Sequence, residues 1–156
     1  MSKHITAPAD DLPPQSQKPG KPYVLDEQAG YMMRVAGQRH AGIFQSLAPQ
    51  NLTPTQFSVL VKLFEVGECS QNELGRKTAM DVATIKGVVD RLRSRDLVEA
   101  RPDPMDKRRS LIALTEQART MKETLHAAGH MITDETLKPL STAERKTFLK
   151  LLAKLT

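Results

Sequence analysis

The side chains best suited to binding chemistry in this chain are cationic and lie between residues 81 and 109. Lysine and arginine bind phosphate oxygens, and the net charge of +5 favours a polyanionic partner. Acidic residues are interleaved with them, so the same run could be an ordinary solvated face. The order of the residues favours binding, because Asp106 stands two residues before Arg108 in a loop that contains Pro102 and Pro104. That spacing lets a carboxylate hold a guanidinium extended, in the form that enters a DNA minor groove.

A helix over residues 81–95 is predicted to position the first of these groups. Its apolar residues recur at steps of three and four and predict a buried face that consists of Val82, Ile85, Val88, Val89 and Leu92. The opposite face carries Thr84, Lys86, Arg91 and Arg95. Ala83 and Gly87 are small, so this face can approach a DNA groove closely.

A short helix before this one and two strands after it complete the unit. Ser70 is predicted to cap the short helix in a capping box with Glu73, and Thr78–Met80 is long enough for the turn of a helix-turn-helix. Residues 97–101 and 110–114 favour strands, and the two prolines between them forbid a helix. The predicted fold class is therefore mainly α, with a winged helix-turn-helix whose wing is a β-hairpin with a basic tip.

These motifs, in this order and at this spacing, resemble those of the MarR family of bacterial transcriptional regulators. The matching segments are ELG at 73–75, DxxT at 81–84, VVDRL at 88–92, LV at 97–98 and DKRRSLIALT at 106–115. Asp96 stands where the family usually has glycine, and aspartate also tolerates a left-handed backbone. The resemblance implies a homodimer that binds a pseudo-palindromic operator in double-stranded DNA.

The DNA contacts are predicted to divide into two groups. Thr84 and Lys86 should read base edges from the start of the helix, whereas Arg91 and Arg108 should bind the backbone and the minor groove. The full set of predicted DNA-contacting residues is Ser70, Gln71, Ala83, Thr84, Lys86, Arg91, Lys107 and Arg108, with Asp106 as support for the wing.

Amphipathic helices flank this unit on both sides. The predicted helices run from about 24 to 48, from 54 to 66, from 115 to 138 and from 142 to the C-terminus. Thr53 and Gln56 form a capping box for the second of these, and Ser141 and Glu144 form one for the last. The apolar stripes of the first and last helices are too extensive to stay uncovered, which predicts dimerisation through the ends of the chain.

A single domain is predicted over residues 23–156. We call residues 53–114, with the winged helix-turn-helix, the winged helix lobe. Residues 23–50 and 115–156 form the terminal-helix layer, which is predicted to dimerise. Residues 1–22 are rich in proline and have little to bury, so they are predicted to be a disordered arm.

A pocket for a small effector is predicted where polar residues interrupt the apolar stripe of the first long helix. Its candidate residues are Tyr31, Arg39, His40, Phe44 and Phe57. Aromatic walls with cationic donors suit a small aromatic carboxylate, although a histidine satisfied within a helix interface would give the same pattern. The resemblance favours a pocket, because the family commonly binds phenolic or aromatic acids. The chain looks most like the branch that regulates aromatic-acid degradation, of nicotinate type.

Other chemistry finds little support in the sequence. The chain has no GxSxG, HExxH, P-loop or GxGxxG motif, so no enzymatic activity and no cofactor are predicted. His126 and His130 are four residues apart, but no third ligand accompanies them, and no metal site is predicted. The one cysteine, Cys69, forms no intrachain disulfide and fits a reducing cytosol; its position disfavours a redox role. No apolar run suits a membrane span, and no secretory signal is present, which predicts a cytoplasmic protein.

The predicted function is that of a homodimeric repressor that releases its operator when a small aromatic acid binds. The alternative is a winged-helix architectural or protein-binding module without an effector. A gel shift with the protein's own promoter, with and without aromatic acids, distinguishes the two.

Overall fold

The computed structural model describes residues 22–156 and is mainly helical, as predicted. Its α-helices are α1 (Ala29–Leu47), α2 (Pro54–Val66), α3 (Gln71–Lys77), α4 (Val82–Ser94), α5 (Glu116–Arg119), α6 (Lys122–Leu137) and α7 (Thr142–Leu152). Its strands are β1 (Cys69–Ser70), β2 (Val98–Pro102) and β3 (Ser110–Leu114). Short 3-10 turns, Leu25–Glu27 and Pro49–Asn51, precede α1 and α2. The arm predicted over residues 1–22 lies, apart from Pro22, outside the described residues.

Local capping signals place two helix starts as predicted. Thr53 and Gln56 form a complete capping box at α2, and Gly67, with a φ of 75°, is the C-cap of this helix. Ser141 and Glu144 form another at α7. The capping box predicted at α3 is only half correct, because Ser70 Oγ accepts from the Glu73 N–H but Glu73 pairs with Lys77 instead.

The wing hairpin forms in the predicted place, and a third strand joins it. β2 and β3 pair antiparallel, with Val98 opposite Leu114 and Pro102 opposite Ser110. β1, which the sequence analysis did not predict, pairs with β3 on its other side, so that the strand order is β1-β3-β2. A two-residue strand has no periodicity of its own, and only its long-range partner reveals it.

One apolar core fills the winged helix lobe and extends into the neighbouring helices. Its fully buried side chains come from α2, α3, α4, the loop before β2, and α6: Val59, Leu60, Leu74, Ile85, Val88, Val89, Leu92, Leu97 and Leu125. Val82, predicted to belong to this face, is instead 68% exposed. Side chains tilt towards the N-terminus of their helix, so the first residue of α4 points beyond the packed turns into solvent.

The helix predicted from residue 115 onwards is broken in two. Thr115 caps α5, but Thr120 and Met121 separate α5 from α6. The Met121 N–H donates to the Ala118 carbonyl, only three residues back. The Met121 side chain is buried in the lobe core. Helix α6 ends at Leu137, one residue before the predicted end at residue 138.

The terminal-helix layer has little core of its own in a single chain. Helix α1 packs against α6 but begins at Ala29 rather than near residue 24, and Phe44 is its only buried residue. Helix α7 has no buried residue. The exposed large apolar side chains of these two helices are Met32, Met33, Val35, Phe148, Leu149, Leu151 and Leu152.

Candidate functional site

The exposed face of α4 carries the predicted base-reading residues. Ala83, Thr84 and Lys86 are all exposed near the start of the helix. Asp81 caps this end, with Oδ1 accepting from the Thr84 N–H at 2.7 Å and Oδ2 from the Thr84 hydroxyl at 3.1 Å. These hydrogen bonds from Thr84 hold the pKa of the Asp81 carboxyl below its ordinary value. Thr84 is thus held in one orientation by its own helix cap.

Lys86 is paired with an acid in the free protein. Its Nζ lies 2.9 Å from Asp90 Oδ2, and this hydrogen bond lowers the pKa of Asp90. The side chains are 67% and 52% exposed, so water screens the pair and it contributes little to stability. Lys86 can therefore exchange this partner for a DNA group at small cost.

The two arginines predicted to share the DNA-facing side of α4 point to different places. Arg91 is exposed, and its guanidinium lies alongside Gly87, 3.8 Å from where a Cβ on that glycine would be. Arg95 turns inward, where Nη2 donates to the Gln50 carbonyl at 2.7 Å and Nη1 to Gln56 Oε1 at 3.4 Å. Placing Arg95 on the DNA-facing side was wrong, because acceptors more than thirty residues away in sequence draw it into the fold.

The partner segment of Arg95 is unusual in its backbone. Gln50 and Asn51 have φ values of 53° and 52°, in the left-handed region that L residues avoid. They lie in the 3-10 turn between α1 and α2, where the terminal-helix layer meets the winged helix lobe. Arg95 therefore ties the end of α4 to the junction of the two regions.

The wing tip exposes its cations, but its acid acts differently from the prediction. Asp106 Oδ1 accepts from the backbone N–H of Arg108 at 3.0 Å, and the Asp106 carbonyl accepts from the Arg109 N–H at 2.9 Å. The predicted contact of this carboxylate with the Arg108 guanidinium is not formed. Asp106 supports the wing by shaping its turn, which leaves the side chains of Lys107 and Arg108 exposed.

The remaining predicted DNA contacts lie at the start of α3. Ser70, the last residue of β1, is its N-cap and is half-buried. Gln71 is the first helical residue and is also half-buried. Both side chains are therefore less accessible to DNA than the exposed side chains of α4.

The five residues predicted to form an effector pocket separate into three places. His40, Phe44 and Phe57 form a row, with ring centroids 6.4 Å and 5.6 Å apart. Tyr31 lies more than two turns earlier on α1, where the Arg34 guanidinium is 5.2 Å from its ring centroid. Arg39 donates to the carbonyls of Thr136 and Glu135 at 2.7 Å and 3.1 Å, so it caps the C-terminal end of α6.

His40 opens onto a cleft of about 640 Å³ between α1, α6 and α7. The walls are mostly apolar and include Met32, Met33, Leu137, Phe148 and Leu152, and the polar lining residues are His40, Thr133 and Thr136. His40 Nδ1 lies 2.9 Å from Thr136 Oγ1, which fixes the ring and leaves Nε2 available. Of the five predicted residues, His40 is the one that lines this cleft.

The histidines and the cysteine considered as metal or redox sites do not lie in such sites. His126 packs edge-on against Phe64 at 6.1 Å, and His130 is exposed. Within residues 22–156, no three histidine, cysteine, aspartate or glutamate side chains form a metal-binding group. Cys69 is buried in β1, and burial raises the pKa of its thiol. No helix in the same range is long and apolar enough to span a membrane.

Comparison with known proteins places this arrangement among regulators. The MarR family profile matches residues 52–110. The repressor NicR of Pseudomonas putida KT2440 is 39% identical over 99% of this chain and 95% of its own length. A probable transcriptional regulator from Pseudomonas aeruginosa has a TM-score of 0.82 at 47% identity, covering 85% of this chain and 100% of that one. Bordetella bronchiseptica BpsR, whose DNA binding is regulated by 6-hydroxynicotinic acid, has a TM-score of 0.80 at 40% identity, covering 86% and 97%.

Proposed function

The chain belongs to the MarR family of transcriptional regulators, and from this premise we propose how its parts divide the work of a ligand-responsive repressor. The winged helix lobe binds operator DNA, the terminal-helix layer joins two copies, and an aromatic acid controls the spacing between the lobes. The protein acts in the cytoplasm and carries out no catalysis.

Helix α4 is the element that we propose enters the major groove. The observation that carries this proposal is the exposed row of Ala83, Thr84 and Lys86, which lies on the same lobe as a wing whose cations are also exposed. Small residues at the start of the row permit close approach, and base edges are accessible to a helix only in the major groove. Arg91 and Arg108 then bind the backbone and the minor groove, with Lys107 beside them. Ser70 and Gln71 supply contacts from the start of α3.

Dimerisation uses the uncovered faces of α1 and α7. In one chain, Met32 is 55% exposed and Phe148 is 42% exposed, and both line the apolar cleft. A second copy would cover these side chains and place the paired α4 helices about 34 Å apart, one turn of DNA. The operator should therefore be an inverted repeat.

The effector proposed is a small aromatic carboxylate of the nicotinate or phenolic type. His40 Nε2 can donate to a carboxylate while Nδ1 remains bound to Thr136, and the rest of the cleft supplies apolar contacts for a ring. The likeness to BpsR supports a hydroxynicotinate in particular. Because the Arg39 guanidinium already donates to two carbonyls of α6, we propose that it positions this helix rather than binding the effector directly.

The wing contact is tested with Arg108→Ala and a matched control, Arg119→Ala. Arg119 is the last residue of α5, and its Nε donates to the carbonyl of Leu114, at the end of the hairpin away from the tip. Fluorescence anisotropy with duplex DNA at several salt concentrations should show weaker binding of Arg108→Ala to operator and random DNA alike, with the salt slope reduced by about one unit. Arg119→Ala should behave as the wild type. Unchanged affinity and slope for Arg108→Ala would remove the wing from the interface.

The effector site is tested with His40→Ala and His130→Ala, a second histidine that is exposed on α6 but does not line the cleft. Gel shifts with the protein's own promoter should show release by 6-hydroxynicotinate from the wild type and His130→Ala, but not from His40→Ala. A tenfold loss of operator affinity needs about 1.4 kcal/mol of coupling, which one charge-assisted hydrogen bond made in only one state can supply. Release of His40→Ala at the wild-type effector concentration would show that His40 is structural.

A further inference from the structure

The start of α4 holds a hydrogen-bond arrangement that the proposed DNA contact does not by itself require. A single carboxylate, Asp81, accepts two hydrogen bonds from one residue, through the Thr84 N–H at 2.7 Å and the Thr84 Oγ at 3.1 Å. The first bond is the ordinary cap of a helix. The second engages the side chain that is exposed towards the predicted groove.

This second bond determines which way the threonine hydroxyl can interact with a base. An ionised carboxylate accepts hydrogen bonds and donates none. The Thr84 hydroxyl must therefore be the donor, and its one proton points at Asp81. The Asp81 carboxylate is ionised at neutral pH, as an ordinary aspartate is, and the hydrogen bonds from Thr84 lower its pKa further. The exposed side of the Thr84 oxygen then offers lone pairs only, and it can accept from DNA but cannot donate to it.

Donors on base edges in the major groove are few and specific. They are the N6 amino group of adenine and the N4 amino group of cytosine, whereas guanine and thymine present acceptors there. Resting on the proposed entry of α4 into the major groove, we propose that Asp81 is a positioning residue that makes Thr84 a dedicated acceptor for an exocyclic amino group. If the Thr84 hydroxyl proton pointed towards the DNA instead, two donors would face each other, and binding of that base would be disfavoured.

The test exchanges the polarity of this hydroxyl without removing the helix cap. Asparagine caps helices as well as aspartate does, and its side-chain oxygen would accept the hydrogen bond from the Thr84 N–H. The amide of Asp81→Asn therefore directs its NH₂ at the Thr84 oxygen and frees the hydroxyl proton. The partner variant is Thr84→Val, which keeps the branched shape and loses the hydroxyl. Circular dichroism should report a folded protein for both.

The readout is affinity for operator duplexes in which single amino groups are deleted. Each adenine of one half-site is replaced in turn by purine, and each cytosine by pyrimidin-2-one, in an operator selected by the wild-type protein from random duplexes. At one position, deletion should weaken wild-type binding about tenfold, within the range for one good base contact. Thr84→Val and Asp81→Asn should be insensitive to deletion at that position.

Three results would overturn the inference. One is a wild-type protein that is insensitive to every deletion, and another is a Thr84→Val variant that keeps the same sensitivity. The third is an Asp81→Asn variant that keeps the wild-type loss, which would show that the hydroxyl polarity is irrelevant. If the proposed function itself were wrong, the result would differ from these three, because the wild type would select no operator and would bind all duplexes equally.

Discussion

Leu92 in α4 and Leu151 in α7 are the same amino acid on helices of similar length, yet the first is fully buried and the second is 54% exposed. Leu92 belongs to the core of the winged helix lobe, which one chain completes from α2, α3, α4, α6 and the sheet. Leu151 belongs to an apolar face that nothing within residues 22–156 covers. One chain therefore completes the lobe core with residues from α6, whereas we propose that a second copy covers the apolar faces of α1 and α7.

The largest expected effect comes from the lobe core. Leu92→Ala should lower the free energy of unfolding by about 2–5 kcal/mol, because it removes a fully buried side chain and leaves a cavity. Chemical denaturation measures this, and the loss should be the same at low and high protein concentration. A loss that disappears on dilution would mean that the lobe, too, depends on the dimer.

The matched substitution in the terminal-helix layer should act through association instead. Leu151→Ala should weaken the dimer by about 2–3 kcal/mol, roughly a hundredfold, because the partly exposed side chain occurs twice in a symmetric interface. Sedimentation velocity over a dilution series measures the change. A wild-type protein that stays monomeric at micromolar concentration would refute dimerisation through this face.

Arg95 tests the connection between the two regions. Arg95→Ala removes the hydrogen bonds to the Gln50 carbonyl and Gln56, and it should destabilise the fold by about 1–1.5 kcal/mol. Arg91→Ala is the control, since its exposed guanidinium should matter for DNA affinity and not for unfolding. Equal unfolding curves for both variants would show that the hydrogen bonds of Arg95 contribute nothing to stability.

The smallest effect concerns backbone strain in the lobe. Ala79 in the turn between α3 and α4 has a φ of 53°, so Ala79→Gly should stabilise by about 0.5–1 kcal/mol once the greater freedom of the unfolded chain is included. Asp96, at 55°, tolerates this conformation better, and Asp96→Gly should change stability less. Thermal melts of the two variants at equal concentration provide the comparison, and a lower melting temperature for Ala79→Gly would contradict it.

The elements of this fold could be predicted from the sequence wherever the signal is local. The capping boxes of α2 and α7 and the wing strands follow from residues a few positions apart. The left-handed backbone of Asp96 is instead expected from the glycine that the MarR family usually has at this position. The periodicity of α4 likewise identified four of its five predicted core residues, because a helix repeats its face every three or four residues.

What the sequence left open depends on segments that only the folded chain brings together. Strand β1 exists because β3 pairs with it, and Arg95 turns inward because Gln50 lies within reach. Arg39 caps α6 across nearly a hundred residues, which removes it from the predicted pocket and leaves His40 facing the cleft. Local sequence fixes backbone conformation through nearest-neighbour hydrogen bonds and sterics, but the partner of a long cationic side chain is the acceptor that packing brings nearest. Periodicity therefore found the helices, and tertiary contacts decided which of their polar residues remain free to bind.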